Sequence, residues 1–158
     1  MSKMYNNYIG KAGQFYAMSE FLMLGWNVAI PEVDRGDDIF VVKDADGALS
    51  RIQVKTAQAR KSKKGYTAQF LLPRQQIEFE STPEINFLLL IRHDGNWKRL
   101  LAIKQSELYG LLTNRLSEEK NKVTINLRIS FEQETVMCGE IDFSRFSQLS
   151  RLFTAIHH

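Results

Sequence analysis

The spacing of apolar residues predicts how the chain begins. From about Ile9 to Leu24 apolar side chains recur at intervals of three and four, which is typical of an amphipathic helix, and Gly25 is placed to end it. A short apolar run from Trp26 to Ile30 follows and is stopped by Pro31. The next residues, PEVDRGD, have the composition of a turn. The chain is therefore expected to open with a helix, a short strand and a turn.

Two hairpins are predicted further along. Ile39–Val42 is a β-branched run, the letters ADG make a tight turn, and Leu49–Thr56 supplies the second strand. Ile85–Arg92 and Trp97–Lys104 bracket the turn HDGN in the same way. The other predicted elements are a strand at Tyr66–Leu72, one or two helical turns at Pro73–Phe79, a helix at Gln105–Leu116, a strand at Lys122–Phe131 and a closing helix at Phe143–Ala155.

The order of these elements indicates the fold class. Antiparallel hairpins dominate the middle of the chain and helices lie at both ends, which favours an α/β sandwich with a mixed central sheet over a doubly wound parallel sheet. No repeat, low-complexity tract or linker rich in proline or glycine divides the sequence. A length of 158 residues suits one sizeable core, so we expect a single domain over 1–158.

Composition narrows the class of protein. Hydrophobic residues make up 44% and charged residues 25%, as in globular proteins. The longest apolar run, Phe87–Ile91, is far shorter than the roughly 20 residues of a membrane span. The N-terminus lacks the apolar core of a secretory signal, and the single cysteine, Cys138, cannot form an internal disulfide. A cytoplasmic protein without a membrane partner is expected.

Charge is distributed unevenly along the chain. The net charge is +3 and the pI is near 9.0, which is compatible with a polyanionic partner. The segment 51–64 contains six basic residues and no acidic one. These are Arg51, Lys55, Arg60, Lys61, Lys63 and Lys64. Two interpretations remain open: a solvated charged loop, or a loop that contacts phosphates beside a catalytic strand.

The segment 36–56, GDDIFVVKDADGALSRIQVKT, contains the residues best suited to chemistry. Asp38 stands at the start of one predicted strand, and Gln53 and Lys55 are two residues apart on the next. Positions i and i+2 of a strand project from the same face, so Gln53 and Lys55 point together while Ile52 and Val54 point into packing. The hairpin should bring the Asp38 carboxylate close to Gln53.

This cluster has the groups that phosphodiester hydrolysis requires. Mg²⁺ or Mn²⁺ prefers oxygen ligands, and Asp38, the side-chain oxygen of Gln53 and the carbonyl of Val54 are candidates. Such an ion polarises the phosphate and lowers the pKa of a bound water. Lys55 could orient or help to deprotonate that water and offset charge in the transition state.

With these residues in place, the sequence resembles a known superfamily. GDDIFVV and RIQVKT look like the second and third motifs of the PD-(D/E)xK nucleases in a Q-x-K variant, a superfamily that includes intron-encoded homing enzymes, restriction-like enzymes and Holliday-junction resolvases. The opening segment GKAGQFYAMSEFLMLGWNVAIP is also similar, so the resemblance covers about residues 8–72. Residues 73–158 would supply additional strands and helices for specificity or oligomer formation. The resemblance implies a restriction-endonuclease-like core and selects Asp38 over Asp37 as the catalytic aspartate. Asp34 and Asp37 are expected to be turn residues, with a position at the pocket rim as the alternative for Asp34.

The sequence departs from the family pattern at two places. The acidic residue of the third motif is Gln53, which removes one formal negative charge from the site. The helical glutamate of the family has no certain equivalent, because Gln14 follows the glycine and Glu20 lies six residues further on. Gly13, Ala17 and Glu20 lie along one stripe of the helix, with small residues that would let the sheet approach. We therefore assign Glu20 as the helical metal ligand, with Gln14 as the alternative.

The resemblance implies a Mg²⁺-dependent endonuclease that acts on double-stranded or branched DNA. Asp38, Gln53, Lys55 and Glu20 would be the catalytic residues, and the DNA-binding residues would be Arg35, Arg60, Lys61, Lys63 and Lys64. One active site per protomer implies at least a homodimer for cutting both strands. The alternative is a catalytically silent module that binds DNA or protein, which the glutamine at position 53 favours.

Overall fold

The computed structural model describes residues 3–116 and 119–153. Its helices are α1 (Lys3–Met23), α2 (Arg74–Glu78) and α3 (Gln105–Leu112). Its strands are β1 (Asn27–Ala29), β2 (Ile39–Lys43), β3 (Ala48–Gln58), β4 (Arg60–Ser62), β5 (Gly65–Pro73), β6 (Ile85–His93), β7 (Asn96–Ile103), β8 (Lys122–Ser130), β9 (Thr135–Cys138) and β10 (Ile141–Asp142). Within these ranges no helix has both the length and the apolar character needed to cross a membrane.

The strands form two five-stranded sheets. The first has the order β1-β2-β3-β6-β7 and is mixed, because β3 and β6 run parallel while its other neighbours are antiparallel. The second has the order β10-β9-β8-β5-β4 and is antiparallel throughout. The α/β class with a mixed central sheet and flanking helices is thus confirmed.

The first sheet is covered on both faces. Leu88 and Leu90 of β6 pack towards α1, against Ala17 and Phe21. The alternate residues of β6 pack towards the second sheet, together with α2 and α3. Since β6 is buried on both faces, its sequence INFLLLIRH is a nearly continuous apolar run instead of an alternating one. The molecule therefore has three layers: α1, the mixed sheet and the antiparallel sheet.

The two predicted hairpins are present. β2 pairs with β3 in a register that sets Ile39 opposite Ile52, and β6 pairs with β7 in a register that sets Leu89 opposite Leu101. The N-terminal helix starts earlier than expected, at Lys3. Three short strands were not predicted: β4 inside the basic segment, and β9 and β10 near the end of the described chain.

The prediction of a closing helix over Phe143–Ala155 is wrong for the described part of that segment. The chain forms two 3-10 turns there, Ser144–Phe146 and Leu149–Leu152, and residues 154–155 lie outside the described ranges. The buried residues of the segment recur every three positions: Phe143, Phe146, Leu149 and Leu152. A spacing of three matches the 3-10 repeat. Serine side chains also bond to the local backbone, as when Ser147 Oγ donates to the Ser144 carbonyl. Such bonds compete with the backbone hydrogen bonds of an α-helix.

Candidate active site

Asp38 lies immediately before β2, at the mouth of the β2–β3 hairpin. Its backbone N–H donates to the Ile52 carbonyl at 2.7 Å, so the ladder of the hairpin extends to this residue. Its carboxylate Oδ2 accepts the Val54 N–H at 2.7 Å. The side chain therefore reaches across to β3 between Gln53 and Lys55, as the hairpin prediction required.

Gln53 and Lys55 share the face of β3 that is turned away from α1, whereas Val54 packs on the α1 side. The Gln53 side chain is buried. Its amide bonds are satisfied when the nitrogen donates to the Gly36 carbonyl at 2.8 Å and the oxygen accepts from Lys55 Nζ at 3.3 Å. A carboxylate at position 53 would instead set an oxygen against the Gly36 carbonyl. The local structure therefore accounts for glutamine in the third motif.

Gln76 of α2 is a member of this cluster that the sequence did not reveal. Its amide meets the Gln53 amide at 3.0–3.1 Å, through the Gln53 nitrogen and the Gln53 oxygen. α2 has only five residues, and nothing in its sequence, RQQIE, marks one glutamine over the other. Only the packing of α2 against the sheets brings Gln76 to the site.

Burial shifts the pKa values of both ionisable groups towards their neutral forms. The pKa of Asp38 is raised, mainly by desolvation, although the Val54 N–H and the Lys55 charge oppose the shift. The pKa of Lys55 is lowered, again mainly by desolvation, and the Asp38 and Asp34 charges oppose this. Burial thus disfavours the charged form of each group. A bound cation would stabilise the Asp38 carboxylate, and a bound phosphate would stabilise the Lys55 ammonium.

The raised pKa of Asp38 predicts how the stability of the metal-free chain depends on pH. The folded chain holds a proton on Asp38 more readily than the unfolded chain, so this group favours folding at low pH. That contribution is lost as the pH rises through the folded-state pKa. We expect the free energy of unfolding of the wild type, relative to Asp38→Asn, to fall as the pH rises above the ordinary pKa of an aspartate, about 3.9. Urea denaturation in EDTA measures this difference, and a constant value would contradict the pKa shift.

The two neighbouring aspartates have different surroundings. Asp37 is buried and its Oδ2 accepts from Arg51 Nε at 2.9 Å, so it forms an internal ion pair. Asp34 is exposed, its Oδ1 accepts the Gly36 N–H at 2.9 Å, and its charge acts on both Asp38 and Lys55. Asp34 is thus an exposed turn residue near the site, as expected, and Asp38 is the aspartate whose carboxylate reaches β3.

Gln14 is the α1 residue that the structure brings to Asp38. Its Nε2 donates to the Asp38 carbonyl at 2.8 Å, and its Oε1 accepts from Lys11 Nζ at 2.8 Å. Gly13 permits this approach, because a Cβ at that position would lie 2.3 Å from Thr56 Cγ2. The prediction that small residues let the sheet approach α1 is confirmed at Gly13 and Ala17, both of which are buried.

The expectation that Glu20 faces the site needs correction. Six residues carry Glu20 about 9 Å further along the helix axis from Gln14. There it lies beside Tyr16, whose pKa is raised by burial and by the Glu20 charge, in a separate cavity with Trp97 and Leu149. The structure thus brings an amide, and not a carboxylate, from α1 to the backbone of Asp38.

A cleft of about 620 Å³ is lined by Lys55 but not by Asp38. Its floor is β3, one wall is the first turns of α1 and the other is β5 with Asn126 of β8. Arg60 lines the cleft, and Lys61, Lys63 and Lys64 are exposed on β4 and the turn that follows. Residues 60–64, which form β4 and the turn between β4 and β5, are therefore a basic hairpin that continues the cleft outward from Lys55.

Arg35 lies apart from the other basic residues. It lines a smaller cavity of about 270 Å³ with Gly36, Gln53 and Gln76. This cavity and the larger cleft open on either side of the polar cluster, at Gln53 and at Lys55. Arg35 is therefore close to the site without being part of the basic hairpin.

Polar side chains in the cleft wall were missed by sequence analysis. Thr67 and Gln69 are exposed residues of β5, and Gln69 Nε2 donates to Asn126 Oδ1 on β8 at 3.1 Å. Both strands lack acidic residues. The alternation of buried and exposed residues in β5 and β8 could have assigned these side chains to a solvent face, but not to the same cleft as Lys55.

The oxygen donors at this site suit a magnesium ion. Val54 directs its N–H towards Asp38, and the C=O of a strand residue points to the same side as its N–H, so the Val54 carbonyl faces the same edge just beyond the start of β2. The described residues contain no group of three or more His, Cys, Asp or Glu side chains that could form a metal cage. Mg²⁺ commonly uses one or two carboxylates and completes its shell with water and substrate phosphates. One carboxylate, an amide oxygen and a carbonyl fit that pattern.

Comparisons with known proteins agree with this architecture. The chain is similar to a solved structure described as a bacterial homing endonuclease, I-Ssp6803I, with a TM-score of 0.50 and 15% sequence identity. The match covers 84% of this chain and 82% of that chain. No protein-family model matches the sequence, and no curated protein matches it. At this identity the likeness shows a shared fold, which extends well beyond the motif-bearing segment.

Proposed function

We propose that this chain is a metal-dependent DNA endonuclease. The observation that carries the proposal is the convergence of Asp38, Gln53 and Lys55 at the mouth of one hairpin, within a fold shared with an endonuclease. In this proposal Asp38, Gln53 and the Val54 carbonyl hold Mg²⁺, with Mn²⁺ as a substitute. When bound, the ion would polarise the scissile phosphate and lower the pKa of a water molecule.

The side chains around that ion have distinct tasks. Lys55 holds its ammonium 3.3 Å from the Gln53 oxygen, at the end of the cleft, where it can hold the attacking water and offset negative charge on the phosphate. Its lowered pKa makes proton exchange with that water easier. Gln14 and Gln76 are positioning residues, because the first bonds to the Asp38 backbone and the second to the Gln53 amide.

The most direct test is cleavage of supercoiled plasmid by the purified protein. We expect nicking or linearisation with Mg²⁺ or Mn²⁺ and none in EDTA, because Asp38 is the only carboxylate proposed to hold the ion. Asp38→Asn, which keeps an oxygen for the Val54 N–H, should be inactive. Absence of cleavage with every cation would refute the nuclease, and salt-sensitive DNA retention in the same sample would support the silent binding module.

DNA is proposed to enter the cleft between α1 and β5, with its backbone against the basic hairpin. Arg60 lines the cleft and Lys61 lies next to it on β4, while Lys63 and Lys64 extend the positive surface outward. Lysine and arginine bind phosphates by charge neutralisation, which fixes the position of the duplex without reading its sequence. Arg35 would contact the backbone from the opposite opening, beside Gln53.

Salt dependence should reveal these contacts. Removing both charges in a variant with Arg60→Ala and Lys61→Ala should lower the slope of log affinity against log salt by about two, since each phosphate contact contributes about 0.9. Fluorescence anisotropy with labelled duplex DNA in EDTA measures the slope without cleavage. Lys98→Ala is the matched control, because Lys98 is exposed on β7 and does not line the cleft. An unchanged slope in the double variant would place the DNA elsewhere.

A further inference from the structure

The outer face of α1 is apolar although it is exposed. Of the thirteen large hydrophobic side chains exposed in the described residues, six belong to this helix. Tyr8 is 70% exposed, Met4 67%, and Phe15 and Leu22 54% each. Concentrated apolar exposure of this kind marks a surface that another molecule covers. The opposite face of α1, with Gly13 and Ala17, is already packed on the mixed sheet.

These side chains follow the repeat of a helix that pairs with another helix. The seam consists of Met4, Tyr8, Lys11, Phe15, Met18 and Leu22, which follow one another at alternating intervals of four and three. An average spacing of 3.5 residues keeps one stripe facing a partner helix over the whole length of α1. Met18 is half-buried against the core and the other members are exposed. The seam thus runs along about five helical turns of α1 without a break.

We propose that α1 pairs antiparallel with α1 of a second copy of this chain. If the pair is centred at the level of residue 13, Met4 meets Leu22 and Tyr8 meets Met18 of the second copy. Lys11 then meets Phe15 of the second copy. A parallel pair would instead set Lys11 against Lys11, which is a like-charge contact inside an apolar seam. The single charged residue of the seam therefore decides the direction.

The contact between Lys11 and an aromatic ring is already present within one chain. Lys11 Nζ lies 5.4 Å from the centre of the Phe15 ring. In the antiparallel pair each ammonium lies between its own Phe15 and that of the second copy, so the charge gains a second aromatic face as it loses water. A twofold axis relates the two chains, as it relates the two strands of duplex DNA.

The size of the seam sets the strength of the pair. α1 is about 32 Å long and about 10 Å wide, so the strip that one helix offers is roughly 300 Å² in projection. Two such strips bury roughly 600 Å² in total, below the roughly 1,200 Å² of standard interfaces, so the pair is expected to be weak and to depend on protein concentration. The pairing requires neither DNA nor a metal ion, so it can be tested independently of the proposed nuclease activity.

Sedimentation velocity in EDTA without DNA, from about 1 to about 200 μM protein, measures this equilibrium. We expect a monomer–dimer equilibrium for the wild type and at least a tenfold weaker one for Phe15→Glu. Val33→Glu is the matched control, because Val33 is 67% exposed and lies outside α1. Circular dichroism checks that each variant is folded. A monomer at every concentration, or a dimer unaffected by both Phe15→Glu and Tyr8→Glu, would overturn the proposal.

Cross-linking tests the direction of the helices. Met4→Cys protein mixed with Leu22→Cys protein should be joined by a short thiol cross-linker, while neither variant should link to itself. Two copies of residue 4 are about 27 Å apart along the axis in the antiparallel pair. Efficient linking of Met4→Cys to itself would mean a parallel pair and would refute the register. The native Cys138 is buried and does not compete for the reagent.

Discussion

Lys55→Met is expected to reduce the rate of DNA cleavage by about 10²–10³ or more, the loss seen when a single charge-stabilising group is removed from an active site. The ammonium of Lys55 lies 3.3 Å from the Gln53 oxygen and interacts electrostatically with Asp38, and it is the described cation that acts on the Asp38 carboxylate. Methionine keeps the length and packing of the side chain, so the folded state should survive. The measurement is the initial rate of plasmid nicking at saturating Mg²⁺.

The matched control for this experiment is Lys61→Met. It makes the same chemical change on an exposed residue of β4, outside the cluster around Asp38. We expect Lys61→Met to weaken DNA binding and to leave the rate at saturating protein unchanged. If Lys55→Met retains activity within about tenfold of the wild type, Lys55 has no part in the chemistry. If both variants and the wild type cleave equally in EDTA, the activity belongs to a contaminant.

Gly13→Ala should destabilise the fold by about 1–3 kcal/mol, although alanine normally favours a helix. The added Cβ would lie 2.3 Å from Thr56 Cγ2, 3.3 Å from Trp97 and 3.4 Å from Leu90. Threonine is stiff at χ1, so its methyl group cannot turn away cheaply. Helix α1 must then move off the sheet, and Gln14 would lose its bond to the Asp38 carbonyl. Urea denaturation measures the loss of stability.

The same helix offers a control with the opposite sign. A Cβ at Gly10 would meet no atom within 4 Å, so Gly10→Ala should stabilise the protein by up to about 1 kcal/mol. Thr56→Ser removes the clashing methyl group and should rescue most of the Gly13→Ala defect in a double-mutant cycle. A Gly13→Ala variant as stable as Gly10→Ala would show that α1 does not approach β3 as closely as described.

Short-range sequence patterns predicted the two hairpins correctly, but they gave the wrong secondary structure for the segment after Phe143. β2–β3 and β6–β7 were predictable because strand alternation and a tight turn lie within about twenty residues of each other. The residues after Phe143 were mistaken for an α-helix, since an apolar spacing of three also fits part of an α-helical stripe. Burial of every third residue, together with serine side chains that bond to the local backbone, then favoured 3-10 turns.

The site was predictable to the same extent. The proximity of Asp38, Gln53 and Lys55 follows from one hairpin and from the strand period of two, both of which are local properties. Gln76 comes from a separate helix, and Gln69 and Asn126 come from the other sheet. Their arrival at the cleft depends on how the layers pack, which is why sequence analysis did not include them.

What the sequence alone determined is the chemistry of the β2–β3 hairpin, because its register and its faces depend only on neighbouring residues. Tertiary structure decided which residue of α1 meets that hairpin. The helical pattern allowed either Gln14 or Glu20, since both could be turned towards a sheet. The close approach of Gly13 to Thr56 and the packing of Ala17 and Phe21 on the sheet fix the position and rotation of α1. They set Gln14 against Asp38, while Glu20 lies beside Tyr16.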